Sequence, residues 1–171
     1  MSHSLTVVGL RPSSGVCPEL VFDGTVPMQL SISSSSAQVG YLTLGQFPES
    51  LLELAIECGT QVLCGVTLVA AEALLQQPVV DVTFVKSGIP VLSTAFESYA
   101  VMEVGLGFDV ALGQDHLLIY WDDLQQCEGY QLDERVGFLS RRGRLAGVLI
   151  SGITSEERRN FVRACSVGAG T

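Results

Sequence analysis

Between Met102 and Leu112 every second residue is apolar: Met102, Val104, Leu106, Phe108, Val110 and Leu112 alternate with Glu103, Gly105, Gly107, Asp109 and Ala111. Successive side chains of a strand point to opposite faces, so this period of two predicts one long strand with a single face on the core. A lone strand leaves its backbone groups unpaired, so the chain must build a sheet around it. Gly105 and Gly107 give the strand places to curve or bulge.

The flanking sequence supplies partners. Val80, Val82 and Phe84 alternate with Asp81, Thr83 and Val85, and a turn at Ser87-Gly88 leads into Ile89 to Phe96. Downstream, Gly113-Gln114 turns the chain into a strand from His116 to Trp121. The strands Glu134 to Leu139 and Leu145 to Ser151 then form a hairpin around Ser140-Arg141-Arg142-Gly143. Five or six strands joined by short turns predict a meander.

Nearer the start, Leu20 to Phe22 and Val26 to Ile32 flank Asp23-Gly24, a strong hairpin signal, with Pro27 suited to an edge strand. The run Ser33 to Ser36 reads as a loop before a strand from Val39 to Leu44. Pro48 and Gly59 bracket an expected helix over Pro48 to Cys58, with Leu51, Leu54, Ala55 and Cys58 as its buried stripe. From Gln61 to Gln77 the pattern fits either a strand and a helix or one buried helix, and Ala70 to Gln77 is helical on propensity up to Pro78. Thr154 and Glu157 make a capping box for a last helix whose arginines trail toward its negative end. The expected fold is α+β: a predominantly antiparallel sheet, as meander, sandwich or partly open barrel, with two or three helices. No repeat or linker is visible, so residues 1–171 read as a single α+β domain.

No apolar run reaches the roughly 18 residues that span a bilayer. The most apolar stretch, Val62 to Leu75, is broken by Cys64, Gly65, Thr67 and Glu72, and Met1 to Leu5 lacks the basic and apolar regions of a secretory signal. No membrane contact and a cytoplasmic location are therefore expected. The five cysteines, Cys17, Cys58, Cys64, Cys127 and Cys165, are odd in number and share no ligand spacing, which suits free thiols and no metal.

Charge is distributed unevenly. Residues 1–134 hold 16 acids against Arg11 and Lys86, whereas residues 135–171 hold seven arginines against Glu156 and Glu157, within a net charge of −9. An acidic body repels nucleic-acid phosphates and attracts basic proteins. Glu49, Glu53 and Glu57, spaced by four on the expected helix, form one acidic stripe. Asp122, Asp123, Glu128, Asp133 and Glu134 form an acidic loop after Tyr120 and Trp121, of which Trp121 continues a core face and Tyr120 is the better candidate for exposure.

Catalytic signals are sparse. Lys86, the only lysine, has no glycine loop beside it, Gly105 and Gly107 lack the third glycine of a dinucleotide fingerprint, and the one base available to a Cys127 nucleophile is His116. By class analogy with small acidic bacterial proteins, the expectation is a non-enzymatic acidic protein-binding module of inhibitor, toxin-immunity or escort-chaperone type. It would need no cofactor and would engage a basic partner protein through Glu49, Glu53, Glu57, Tyr120, Asp122, Asp123 and Glu128. The alternatives are a small-molecule-binding β structure, with Met102 to Leu112 curved around a pocket, and a hydrolase using a carboxylate and His116. The arginine-rich hairpin and helix have two uses open to them: docking on the acidic body of another copy in a homodimer, or neutralising the acidic body of the same chain.

Overall fold

The computed structural model describes residues 5–33, 37–76 and 82–168. Along the chain run β1 (Val7–Arg11), β2 (Glu19–Val21), β3 (Met28–Ser31), β4 (Val39–Gln46), β5 (Ser50–Glu57), β6 (Leu63–Ala70) and β7 (Thr83–Ser87). They continue with β8 (Ile89–Leu92), β9 (Val101–Glu103), β10 (Asp109–Leu112), β11 (His116–Tyr120), β12 (Glu128–Gln131), β13 (Val136–Arg141), β14 (Arg144–Ser151) and α1 (Ser155–Gly168). The fold is α+β with most of its order in antiparallel sheet, as the alternation predicts. Among the described residues it holds one helix instead of two or three.

The strands form two six-stranded sheets and one two-stranded pair. The first sheet runs β2-β3-β6-β5-β4-β9, the second β10-β11-β14-β13-β12-β7, and β1 pairs with β8. All neighbours are antiparallel except the outermost pairs, β4 with β9 and β12 with β7, which are parallel. Each sheet is thus a hairpin (β2-β3 or β10-β11) joined to a three-strand meander (β4-β5-β6 or β12-β13-β14), with a parallel strand on the meander's far edge.

The likeness extends to single residues. In the first sheet Ile56 faces Leu63 and Ala55 faces Gly65, leaving Cys64 as the extra residue of a bulge. In the second, Ser140 faces Leu145 and Leu139 faces Gly147, leaving Ala146 extra. Leu63-Cys64-Gly65-Val66 and Leu145-Ala146-Gly147-Val148 therefore occupy the same place. On their other side Val66 pairs with Leu30 and Val148 with Ile119. This is an internal structural repeat that the sequence reading does not see, because only a few apolar and glycine positions carry it.

Inner-face residues of both sheets join one hydrophobic cluster that includes Met28, Leu30, Leu54 and Leu68 from the first and Val110, Ile119, Phe138 and Val148 from the second. The helix closes one end. Phe161 is buried, its ring meeting Phe22 edge-on at 6.2 Å, and Asn160 Nδ2 donates to Phe22 O at 2.9 Å. Arg158 Nε donates to Gly113 O at 3.2 Å, so α1 ties together the β2-β3 and β10-β11 loops. Its capping box is formed: Glu157 N–H donates to Thr154 Oγ1 at 3.2 Å and Thr154 N–H to Glu157 Oε2 at 2.9 Å. Its last turn carries no base, contrary to the expected trailing arginines.

Other expectations are corrected. Residues expected as the helix Pro48 to Cys58 are a turn, Phe47–Glu49, followed by β5, in which Leu52, Leu54 and Ile56 point inward. That segment carries both a helical stripe and a period of two, and pairing with β4 and β6 on both sides decides for the strand. After β6 no helix forms through Gln76; Leu75 instead bonds to the edge of β10, its N–H donating to Val110 O at 2.8 Å and its C=O accepting from Leu112 N–H at 3.0 Å. Gln77 to Asp81 lie outside the described residues, as do Ser34 to Ser36. The run Met102 to Leu112 is not one strand: β9 belongs to the first sheet and β10 to the second, and the chain crosses between them around Gly105, whose φ of +73° suits glycine. The downstream strands are not a simple meander, since β11 pairs with β14. The Asp23-Gly24 hairpin exists, but its loop is Phe22–Pro27, and the edge strand is β2 while Pro27 precedes the internal β3.

Candidate functional site

Strand registers determine which acidic side chains meet. On the outer face of the first sheet one row runs Val21, Gln29, Thr67, Glu53, Thr43, Glu103, each residue opposite the next on the adjacent strand. The next row runs Glu19, Ser31, Gly65, Ala55, Tyr41, Val101. Glu53 and Glu103 thus flank Thr43. Among the described residues neither makes an ion pair. Tyr41 and the exposed Tyr99 stack edge to face at 6.2 Å beside them.

The expected stripe Glu49, Glu53 and Glu57 is divided by this geometry. Glu53 and Glu57 share the outer face of β5, but Glu49 sits in the exposed turn before it. Glu57 is held within the chain: Arg11 Nη1 lies 3.7 Å from its Oε2, and the Thr60 hydroxyl donates to the same oxygen. The nearby Cys64 thiol is pushed up to about 11 by burial and by the Glu57 charge, so it stays protonated at neutral pH.

The second acidic group is internally compensated. Arg141 spans two carboxylates, with Nη1 3.0 Å from Asp122 Oδ1 and Nη2 3.2 Å from Asp123 Oδ2. Burial pushes the Asp122 carboxyl upward, but the Asp123 N–H donating at 2.8 Å and the Arg141 guanidinium outweigh it and hold the group below its usual range. Asp133 Oδ1 is likewise occupied, accepting from Arg135 N–H at 2.8 Å and Val136 N–H at 2.7 Å. Glu128 is exposed, lies opposite Ser140 on β13, and makes no ion pair among the described residues.

These contacts brace a loop over the outer face of the second sheet, where Ala111, Leu118 and Leu139 are buried beneath Leu124 and Val82. Tyr120 packs half-buried at this small cluster, as Trp121 is half-buried beside it. Trp121 packs against the main cluster and donates from Nε1 to Leu145 O at 2.8 Å. Tyr120, Trp121, Asp122 and Asp123 line a surface cleft of about 500 Å³ with Gly107, Phe108 and Asp109.

The arginine-rich end is also partly used within the chain. Arg135 Nη2 lies 2.8 Å from Glu157 Oε2, and with Thr154 it lowers the Glu157 carboxyl against the opposing effect of burial. Arg142, Arg144, Arg159 and Arg163 are exposed.

For catalysis the geometry offers little convergence. His116 packs on Gly113 and reaches Asp115 Oδ1 at 3.3 Å at the start of β11, whereas Cys127 bonds to Asp123 O beyond the far end of that strand. Burial raises the Cys127 thiol despite the nearby Arg141. Among the described residues no three His, Cys, Asp or Glu side chains gather as metal ligands, and no helix is long and apolar enough to cross a membrane. Compared with known proteins, the chain matches no family model and no curated sequence.

Glu53 and Glu57 stand out in the sequence together with Glu49, whereas no sequence signal joins Glu103, Glu19, Tyr41 and Tyr99 to them. The outward position of Glu103 is legible in the Met102–Leu112 alternation. Its place across Thr43 from Glu53 depends on β9 pairing in the first sheet, which no local pattern signals.

Proposed function

We propose that this chain is a non-enzymatic module that binds a basic protein through the outer face of its first sheet. One observation carries the reading: Glu53 and Glu103 flank Thr43 on a solvent-facing sheet without an ion pair among the described residues, while Asp122 and Asp123 are held by Arg141. Two like charges one strand apart on the same face, with β4 between them, repel weakly in the isolated chain and both attract a cation that settles over Thr43. Inhibitor, toxin-immunity and escort-chaperone roles all draw on this chemistry. A bacterial cytoplasm suits the five unbridged thiols, and the shared cluster of the two sheets supports one α+β domain over residues 1–171.

The test is to capture a partner from host cells, purify it and titrate it against the unaltered chain and two double variants. Glu53→Lys with Glu103→Lys is expected to weaken binding at least about tenfold and to reduce its salt dependence. Asp122→Asn with Asp123→Asn is expected to change it less. An affinity indifferent to salt and to the first pair would overturn the reading.

A second reading, a small-molecule site, is favoured by the cleft of about 500 Å³ beside Trp121. Trp121 is the only tryptophan, so its fluorescence reports occupancy directly. A ligand that leaves this emission unchanged does not bind there.

A further inference from the structure

We infer that the free edge of β9 is the docking strand of this surface and accepts an extended, basic segment of the partner by strand addition. The inference rests on the acidic-face reading above and assigns it a mode of attachment. Ala100 O accepts from Tyr41 N–H at 2.8 Å, Val104 N–H donates to Thr43 O at 2.9 Å, and Leu106 O accepts from Gly45 N–H at 2.8 Å. Alternation along the strand therefore turns the N–H and C=O groups of Val101 and Glu103 away from β4. Among the described residues these groups have no partner, and β9 ends its sheet. Unpaired strand edges are templates for another strand.

The side chains specify the occupant. Ala100, Met102 and Val104 turn inward against the core, while Tyr99, 67% exposed, Val101, 55% exposed, and Glu103 face solvent. A strand added beside β9 would place its outer side chains next to Glu103 and against the apolar surface of Val101, at the border of the row that holds Glu53. No lysine or arginine lies between Lys86 and Arg135, so the segment carrying this edge brings no cation of its own. A second copy is a poor occupant, because pairing β9 with β9 sets the Glu103 carboxylates against the same acidic row. A basic segment gains both the backbone ladder and the charge pairing.

The probe is a short blocked peptide of alternating lysine and valine, titrated against the full chain with backbone amides followed by NMR. Expected are protection of the Val101 and Glu103 amides, and binding weakened about tenfold by Val101→Pro. That substitution deletes an outward N–H without removing a bond to β4. Because Val101→Pro can also disturb β9, the unaltered protein is titrated with the same peptide N-methylated at alternate residues, which is expected to lose affinity comparably. If Glu103→Lys abolishes binding while Val101→Pro and N-methylation leave it intact, the edge inference is overturned and the acidic-face reading stands. If the basic peptide does not bind, or chains associate through β9 instead, both are overturned.

Discussion

The two six-stranded sheets share strand order, bulge position and the Leu-x-Gly-Val run at the bulge, yet they use their outer faces in opposite ways. The first presents Gln29, Thr43, Glu53 and Thr67 to solvent. The second buries Ala111, Leu118 and Leu139 and closes over them with Leu124, Val82 and a loop braced by Arg141. Backbone pairing is indifferent to side-chain chemistry, so one ladder supports a wet face and a dry one. What differs is which residues occupy the outward positions, and that difference leaves the outer face of the first sheet open and that of the second covered.

Four tests probe this contrast between the two sheets. The largest effect is expected where the repeat is tightest. A Cβ at Gly147 would lie 2.6 Å from Ile119 O, and one at the equivalent Gly65 would lie 3.2 Å from Leu30 O. Gly147→Ala is therefore expected to destabilise by about 3 kcal/mol and Gly65→Ala by about 1 kcal/mol in urea unfolding. Equal losses would mean that the two bulges tolerate crowding alike.

Next is the cover of the second sheet. The Phe84 ring occupies the space above Gly129 and Gly137, where any side chain would collide with it. Phe84→Ala is expected to cost about 2 kcal/mol, below the usual fully buried value because the ring is 37% exposed. Thr67→Ala, on the wet face of the first sheet, should stay within about 0.5 kcal/mol. Comparable losses would remove the distinction between a covered and an open face.

Third, Arg141→Ala should destabilise by about 1 kcal/mol at neutral pH, the ion pairs being partly solvent-screened. The Asp122 carboxyl is depressed in the folded state, so its contribution is present above the ordinary aspartate range near pH 4 and is lost as pH falls through the depressed folded value. Thermal melts across the acidic range should show the variant and the parent converging at low pH. A difference that persists there would assign the effect to packing.

The smallest effect tests the open face itself. Glu53→Gln removes one of two acids flanking Thr43 and is expected to stabilise by about 0.3 kcal/mol while weakening a basic partner. A loss of stability would reveal a favourable role for Glu53 within the chain.

Much of the local structure was legible. The alternations around Val26 to Ile32, Val39 to Leu44 and His116 to Trp121 appear as strands, Arg142-Gly143 turns with positive φ at both residues, and Thr154 with Glu157 caps the helix. Misreadings came where one segment satisfied two periods. Leu51 to Cys58 carries a helical stripe and a strand alternation together, and helical propensity cannot outweigh two neighbouring strands. Of the expected binding residues, Glu53 lies on the open face without an ion pair among the described residues, Glu57 lies there paired with Arg11, Glu49 lies on a turn, and Asp122 and Asp123 are drawn to Arg141.

By itself, then, the sequence determined which residues alternate, where many turns fall and that acid dominates the chain before residue 135. Long-range strand pairing divides the Met102–Leu112 run between two sheets, makes the sheets repeat one another, and sets Glu103 across Thr43 from Glu53. The physical reason is that side-chain period assigns faces locally, whereas partner choice is made between chemically uniform backbone edges far apart in sequence. That choice is settled by how the whole core closes.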